Sequence, residues 1–543
     1  MMSAMSSVSS QTLDEASTHV YYHRYQSAIA ALKSLLQKGD HSPYVYYWLG
    51  ESYLKQGYSD SAAIYFQEGV RLFEVNHLSK KEYPLVFIGE AHLLLEKGDK
   101  ENARKQMEEM LQLRKYKDPV ALLAAARSHI NSKNGDVVWA LEMLDRAADK
   151  DRKNPDIYMA MGDAYRKQIN GSKAVVSYNQ ALALNPSLAE AYYKKGLIYK
   201  SQNNTEVFVE RFTEAVKADS LYAPALYELY YYYFYKDLNK AGELLARYLR
   251  NADPSIENEY MQTDYLYITR KYPEAIEKAN RIISMTGIES KPRLYKLLAY
   301  SKAALGDSMQ AEESMNKYFK YQDPAECISK DYELMAKLSE ANYADKSRSL
   351  KWYKEALQTE SDQDARLGYM QYLAEIEKEL GNRDQEAFWR EGIYHSRERP
   401  TNLDVYHWGV SLYMAANYQR ADSVFGIYSE KYPDQIYGYL WQARCNAIMD
   451  STMEKGLAVT FYTKLLDVIG PDLKKNKATV IKAYGYLGAY EANIRKDYPA
   501  SLVYFEKLLM LDPENSDAQK YAGVLQKWID NGSNTEPEEN NKP

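Results

Sequence analysis

Residues 155–186 read PDIYMAMGDAYRKQINGSKAVVSYNQALALNP. Apolar and small residues recur three and four positions apart in this stretch, first at Tyr158, Met161, Gly162 and Tyr165, then at Ala174, Tyr178 and Ala181. That spacing is typical of amphipathic helices, and Pro186 cannot continue a helix. The stretch therefore predicts two helices, helix A and helix B, joined by a short turn.

The same pattern returns along almost the whole chain. The position that opens helix B recurs at intervals of 33 to 43 residues, at Ala28, Ala62, Ala103, Ala140, Ala174, Phe208, Ala241, Ala275, Ala311, Ser349, Gln385, Ala421, Ala458 and Ser501. A fixed period in this range is the signature of stacked helix hairpins. Each hairpin buries its apolar faces against its neighbours, so stability is close to a nearest-neighbour sum.

Several of these hairpins carry a known motif in register. In the first of them Tyr46-x2-Leu49-Gly50-x2-Tyr53 precedes Ala62-x3-Phe66. The others are Tyr158-x2-Met161-Gly162-x2-Tyr165 with Ala174-x3-Tyr178, Tyr192-x2-Lys195-Gly196-x2-Tyr199 with Phe208-x3-Phe212, and Trp408-Gly409 with Leu412, Ala421, Phe425 and Pro433. The chain resembles the tetratricopeptide repeat (TPR) proteins, whose motif is W-x2-L-G-x2-Y followed by A-x3-F and P. The resemblance implies an all-α, right-handed superhelical α-solenoid of about 13–14 hairpins.

Local changes in the pattern suggest an organisation into segments. Residues 12–250 form an N-terminal array, residues 251–400 keep the period but lose most glycines and aromatics, and residues 401–514 return to the motif. Residues 515–530 are predicted to form a helix that caps the last hairpin. Residues 1–11 are a flexible N-terminus or a signal remnant, and residues 531–543 are disordered because they offer no apolar anchor.

Composition excludes several classes of protein. The chain has 543 residues and a net charge of −6, so it lacks the basic stripe of a nucleic-acid surface. No apolar run approaches the length of a membrane-spanning helix. Cys327 and Cys445 stand in different repeats, which argues against a disulfide between them. The sequence does not decide between a cytoplasmic and an exported location, which are equally compatible with it. It also does not indicate the oligomeric state.

Catalytic motifs are missing from the sequence. It contains no phosphate-binding loop, no nucleophile elbow and no H-E-x-x-H. His19 and His23 lie four apart on a predicted helix, but no third ligand is near them in sequence. We therefore expect a protein that is not an enzyme and that needs neither cofactor nor metal.

Tyrosine is the second unusual feature, with 53 residues. Nine tyrosines occupy helix-A offsets that face the concave groove in TPR proteins, or follow them closely: Tyr47, Tyr193, Tyr227, Tyr231, Tyr235, Tyr300, Tyr406, Tyr486 and Tyr490. Tyrosine offers a large rigid surface and a hydroxyl, which suits a binding groove. The competing interpretation is that these rings pack sideways against the next helix A.

The expected function is a scaffold that holds a protein or peptide partner along the tyrosine-lined groove. The carboxylate-binding set of some TPR domains is not reproduced, because Glu51, Asp163 and Leu197 stand where an asparagine is expected. Lys194 and Lys200, near Arg166 and Lys167, form a possible basic patch for an acidic ligand. Two alternatives stay open: a polysaccharide-binding or export accessory of the cell envelope, and the regulatory subunit of an enzyme in another chain.

Overall fold

The computed structural model describes residues 13–75, 77, 79–287, 290–343, 345–471 and 473–532. These residues contain 14 successive helix hairpins and one further helix, and no strand. The predicted all-α solenoid of about 13–14 hairpins is therefore confirmed. The predictions for residues 1–11 and 533–543 lie outside the described residues. The chain divides into two compact units, of which the first ends at Met285 and the second begins at Thr286.

The first unit consists of eight hairpins. Their helices are α1 (Leu13–Tyr21), α2 (Tyr25–Gln37), α3 (Pro43–Lys55), α4 (Ser59–Val75), α5 (Pro84–Glu96), α6 (Lys100–Leu113), α7 (Pro119–Asn131), α8 (Val137–Lys150), α9 (Pro155–Lys167), α10 (Gly171–Leu184), α11 (Ala189–Ser201), α12 (Thr205–Ala218), α13 (Ala223–Phe234), α14 (Leu238–Asn251), α15 (Ile256–Ile268) and α16 (Tyr272–Thr286).

The second unit consists of six hairpins and a final helix. Its helices are α17 (Arg293–Ala304), α18 (Ser308–Tyr321), α19 (Ser329–Asn342), α20 (Ser347–Thr359), α21 (Gln363–Glu379), α22 (Arg383–Ser396), α23 (Asn402–Met414), α24 (Tyr418–Lys431), α25 (Ile436–Met449), α26 (Val459–Ile469), α27 (Lys477–Tyr490), α28 (Tyr498–Leu511) and α29 (Ser516–Asp530). Short 3-10 helices precede α19 and α27, at Pro324–Glu326 and Leu473–Asn476.

A glycine-to-aromatic seam joins the two helices of each motif-bearing hairpin. A Cβ atom on Gly50 of α3 would lie 2.3 Å from the ring of Phe66 on α4. The same ring also packs on Gly89 of the next helix A, where a Cβ would lie 2.2 Å away. Helix A therefore needs glycine here, because any side chain would displace a fully buried ring.

The turn between helix A and helix B is short, and in the third hairpin it contains a glycine with a positive φ followed by an aspartate that caps helix B. Gly98 adopts a φ of +89°, which glycine reaches without steric cost. Asp99 follows it and caps α6 by accepting a hydrogen bond from the backbone N–H of Asn102 at 3.3 Å. The cap satisfies a donor that the first turn of a helix leaves unpaired. Tight, capped turns keep the helices antiparallel, so the A helices share one face of the unit.

Candidate functional site

A cavity of about 960 Å³ lies on the shared A-helix face of the first unit. Its wall is built from α3, α5, α7, α9 and α11, which are all A helices, and from the first hairpin. The side chains that line it include Tyr21, Tyr47, Trp48, Arg127 and Met159. The inner face of consecutive A helices thus encloses a space of the size that ligand pockets have.

The glycine seam fixes which side chains reach this cavity. Gly162 faces helix B, and Met159 and Asp163, which lie four residues apart on an adjacent stripe of α9, line the cavity. The same offsets around Gly50 bring Glu51 and Tyr47 to the cavity. The motif that packs the hairpins therefore also sets the lining of the concave face.

The carboxylates of the cavity are already paired. Lys194 Nζ lies 2.6 Å from Asp163 and 2.7 Å from Glu190. Burial lowers the pKa of Lys194, but these two anions outweigh it, so the pKa is raised. Tyr178 donates to Asp163 at 2.7 Å. Burial alone would raise the pKa of Glu190, but Lys194 more than offsets it, so the pKa is lowered.

A hydrogen bond between a carboxylate and an imidazole lies at the α3 end of the cavity. Glu51 Oε1 lies 2.9 Å from Nδ1 of His92, which is buried on α5. Burial would raise the pKa of Glu51, and the nearby His92 and Lys55 outweigh it, so this pKa is lowered. The carboxylates on both sides of the cavity thus stay ionised and held by their own partners.

Lys55, Arg127 and Arg166 line the cavity without a close ion pair among the described residues. Lys55 lines the cavity, and among the described residues it makes no hydrogen bond or ion pair within 4.0 Å. Burial lowers the pKa of Lys55. Arg127 has a single ion pair among the described residues, with Asp156 at 3.7 Å. A guanidinium can donate five hydrogen bonds, so Arg127 is free to bind a further anion.

Of the basic patch considered from the sequence, Arg166, Lys167 and Lys194 line the cavity and Lys200 does not. Lys194 is held by Asp163 and Glu190, and Lys200 pairs with Glu228 at 2.5 Å. Lys167 Nζ donates to the carbonyls of His129 at 3.0 Å and Ile130 at 2.9 Å, at the C-terminal end of α7. Of the four, Arg166 lines the cavity as a side chain without a described ion pair.

The predicted tyrosines of the first unit occupy different environments. Tyr47 is 6% exposed and borders the cavity, while Tyr193 is half-buried with its ring 5.7 Å from those of Phe212 and Tyr222. Along α13 the exposure rises from 37% at Tyr227 to 45% at Tyr231, and it reaches 84% at Tyr235, the C-cap residue that follows the helix. These last three form a solvent-exposed row, one turn apart.

Two tyrosines of the second unit, on α17 and α23, pack within it. Tyr300 donates through its hydroxyl to the backbone carbonyl of Lys330 at 2.9 Å and to Asp331 at 3.2 Å. Tyr406 is half-buried, with the ring of Tyr437 at 5.8 Å. Both rings therefore contact the next helix A, and each keeps an accessible edge.

The last two tyrosines lie on α27. The ring of Tyr486 lies 4.9 Å from that of Tyr462, and its buried hydroxyl has no hydrogen-bond partner among the described residues. Tyr490 packs on Gly456, where a Cβ atom would lie 2.7 Å from its hydroxyl. Gly456 has a φ of +65° and so suits this close approach.

No metal centre is formed by the residues that the structure describes. They contain no group of three or more His, Cys, Asp or Glu placed to hold an ion. His23, the second residue of the candidate pair, stacks at 5.7 Å on Tyr25, and burial lowers the pKa of His23. Cys327 and Cys445 are free and buried. None of the described helices has the length and apolar character needed to cross a bilayer.

The sequence motifs do not identify Lys55 or Arg127 as lining residues, and they do not predict that the first hairpin borders the cavity. Lys55 lies five residues after Gly50, on the inner stripe that starts at Tyr47 and Glu51. Because Lys55 lies four residues after Glu51, helical spacing places it on the same stripe, and the sequence therefore contained a signal for it. Arg127 lies in a hairpin that lacks the glycine motif, so no glycine indicates which residues of its helix A face the concave side.

Comparisons with known proteins match the repeats. Residues 13–76 and residues 189–220 each match a tetratricopeptide repeat model, and residues 172–203 match a TPR repeat model. No curated protein sequence matches the chain.

Similar solved structures include three bacterial proteins. The C-terminal part of a TPR repeat-containing protein from Cytophaga hutchinsonii is 26% identical over 48% of this chain and 98% of its own, with a TM-score of 0.31. A tetratricopeptide repeat protein from Parabacteroides merdae is 20% identical over 46% and 96%, with a TM-score of 0.29. A thermophilic TPR protein from Thermus thermophilus is 15% identical over 44% and 97%, with a TM-score of 0.26.

Proposed function

We propose that this chain, a multi-repeat tetratricopeptide repeat protein, binds an extended segment of a partner protein in the cavity of its first unit. Tetratricopeptide repeats serve as protein-interaction scaffolds, and solenoids of this kind present long concave surfaces for binding. The cavity is lined by one consecutive run of A helices, so a chain segment laid across it touches several repeats at once.

The lining supports a peptide as the ligand. Tyr47 and Trp48 offer aromatic surface, with their rings 5.3 Å apart, and Leu123 and Met159 add apolar contact. Charged and amide groups such as Glu51 and Asn131 stand among them. A mixture of aromatic anchors and polar groups favours recognition of peptide side chains and backbone together.

The observation that carries the proposal is the unequal pairing of charges in the cavity. Asp163, Glu190 and Glu51 have partners within 3 Å, whereas Lys55 has none described and Arg127 has one at 3.7 Å. Cations that line a concave surface and lack a close partner gain from a carboxylate that enters with the ligand. We therefore propose that the partner segment carries an acidic residue or a terminal carboxylate.

The exposed row on α13 is proposed to extend this surface. Tyr227 and Tyr231 pack edge to face at 4.8 Å, which holds both rings in place for a ligand. Tyr47 and Tyr193 are proposed as contacts of the same segment in the first unit. For the second unit we propose Tyr300, Tyr406, Tyr486 and Tyr490 as partner contacts through the ring edges that packing leaves accessible.

A selection from a random peptide display library tests this function. We expect the bound peptides to be enriched in Asp and Glu. For a selected peptide, Lys55→Ala with Arg127→Ala should weaken binding by about tenfold or more, since a charge-assisted hydrogen bond contributes about 1.5–3 kcal/mol. Titration calorimetry measures the affinity.

The matched control is Lys150→Ala with Lys153→Ala, which changes the net charge equally on an exposed surface. Equal losses in both double variants would reduce the effect to general charge attraction, and peptides without acidic enrichment would contradict the proposed ligand. If no peptide is selected and an oligosaccharide quenches the tyrosine fluorescence of the protein, the results would favour a polysaccharide-binding or export accessory over a peptide-binding scaffold.

A further inference from the structure

The first hairpin has two chemically different contact surfaces. Towards α3 it forms an apolar core, in which Leu32 and Leu35 pack with Val45 and Leu49. On its other side, the turn between α1 and α2 reaches across to residues about 200 positions later in the same unit. This second contact combines hydroxyls and carboxylates with the packing of Tyr21 and Tyr22 on a buried cluster that contains Ala189, Ala215 and Tyr222.

Asp253 caps helix α2 from a distant repeat. Helix α2 starts after Arg24, whose side chain makes no capping hydrogen bond. Asp253 Oδ2 instead accepts from the backbone N–H of Gln26 at 2.7 Å and of Ser27 at 3.3 Å, and Oδ1 accepts from the Ser27 hydroxyl at 2.5 Å. The first turn of a helix favours such an anion through its unpaired N–H groups and its dipole.

A second carboxylate and a tyrosine complete the contact. Tyr22 donates through its hydroxyl to Asp219 at 2.8 Å. The ring of Tyr21 lies 5.5 Å from that of Tyr222, which is fully buried before α13. We call the turn Tyr21–Ser27, together with Asp219, Tyr222 and Asp253, the clasp.

The clasp is incompletely satisfied. Among the described residues, Nε of Arg24 and the hydroxyl of Tyr222 are buried without a hydrogen-bond partner in the clasp, and so is Nδ1 of His19 just before it. Buried polar groups in stable cores are nearly always paired, and an unpaired one opposes the closed state. The apolar contact with α3 has no such cost. We therefore infer that the contact of the hairpin with α3 is more stable than its contact with Asp219 and Asp253.

The position of the clasp relates it to the cavity. Ser17, Thr18, Tyr21, His23 and Tyr25 of the first hairpin line the cavity opposite the inner faces of α7 and α9. The hairpin thus bounds one side of the space in which the ligand is proposed to lie. Release of the hairpin from Asp219 and Asp253 would widen that space for a segment of a partner protein.

We propose that the clasp is a gate, which opens by breaking the contacts of the first hairpin with Asp219 and Asp253 while the hairpin stays packed on α3. The gate admits the partner segment and so rests on the proposed function. Its opening is a property of the protein alone, and can therefore be measured without any partner.

Amide hydrogen exchange, read by mass spectrometry on the full chain, tests the gate. We expect the peptide that covers residues 22–28 to exchange at least tenfold faster than the peptide of α7, residues 119–131. Asp253→Ala should accelerate the first peptide at least fivefold and leave α7 unchanged. Tyr22→Phe, which removes only the hydroxyl that binds Asp219, should give a smaller acceleration in the same peptide.

Asp237→Ala is the matched control, because Asp237 caps α14 within its own hairpin through the N–H of Lys240 at 3.0 Å. It should accelerate the start of α14 alone. The gate is overturned if residues 22–28 exchange no faster than α7 in the wild type, or if Asp253→Ala changes both peptides equally. If the clasp exchanges fast but the display selection yields no bound peptide, the gate is supported and the proposed function is contradicted.

Discussion

At the scale of the residue, the seam between glycine and an aromatic ring is what the sequence predicts best. The 34-residue motif places Gly409 sixteen residues before Phe425, and in the structure that ring lies where a Cβ would come within 2.6 Å. The spacing alone identifies both partners, because the contact lies within one hairpin and its geometry is set by one short turn.

Gly409→Ala tests this seam. The added methyl group should displace the buried Phe425 ring and lower the free energy of unfolding by about 1–3 kcal/mol. Gly523→Ala in the same unit is the control, since a Cβ there meets nothing within 4 Å. It should stabilise by about 0.5–1 kcal/mol through helix propensity. Chemical denaturation measures both, and equal effects would refute the seam.

The tyrosines show where the sequence stops being informative at this scale. The offset within helix A predicts the side of the helix that Tyr47 and Tyr235 occupy, but not what lies across from it. Tyr47 is 6% exposed because Trp48 and Phe66 surround its ring, whereas Tyr235 at a helix end is 84% exposed. Burial depends on neighbouring repeats, which a single motif does not encode.

At the scale of the element, α13 separates packing tyrosines from exposed ones. Tyr230 is fully buried, and its hydroxyl donates to the carbonyl of Met261 on α15 at 3.3 Å. Tyr230→Ala should lower the free energy of unfolding by about 3–5 kcal/mol. Tyr235→Ala on the same helix should change it by less than about 0.5 kcal/mol. A large loss of stability in Tyr235→Ala, measured by thermal denaturation, would place that ring in the core.

Helix α7 contains a buried histidine that makes stability depend on pH. His129 Nδ1 accepts from the backbone N–H of Asp136 at 2.9 Å, and its ring lies 4.5 Å from Trp139. Burial lowers the pKa of His129 to about 4. Because the unfolded chain takes up the proton at about pH 6.5, the free energy of unfolding should fall as the pH drops from about 6.5 to 4.

Between pH 7 and pH 5 this loss should amount to about 2 kcal/mol. His129→Gln keeps an acceptor for the Asp136 N–H but has no titrating ring, so its stability should fall less over that range. Urea denaturation at both pH values measures the difference. Parallel pH profiles of the wild type and the variant would show that His129 is not the group responsible.

At the scale of the whole molecule, the sequence predicts the repeat but not its closure. The period of 33 to 43 residues is sufficient for the hairpins, since each contacts its neighbours. The bond between Asp253 and Gln26 at the start of α2 joins residues 227 positions apart. No local pattern marks Asp253 as the cap of a helix so distant, because the contact depends on the summed rotation of the intervening hairpins.

The same limit applies to the cavity. Its lining is drawn from five A helices and the first hairpin, and Lys55 and Arg127 come together there although neither stands out in the sequence. The tyrosine count suggests a binding surface and the repeat suggests a concave one. Only the assembled unit identifies the cations that favour an acidic ligand.

Photo-cross-linking of a display-selected peptide tests most directly whether the concave face of the first unit binds the partner. The peptide carries a benzophenone side chain, and mass spectrometry locates the cross-linked residues on the full chain. We predict cross-links to the inner faces of α3, α7 and α9, at Trp48, Leu123 and Met159, which an excess of unlabelled peptide abolishes. Cross-links confined to the B helices, or to residues after Met285, would contradict the account.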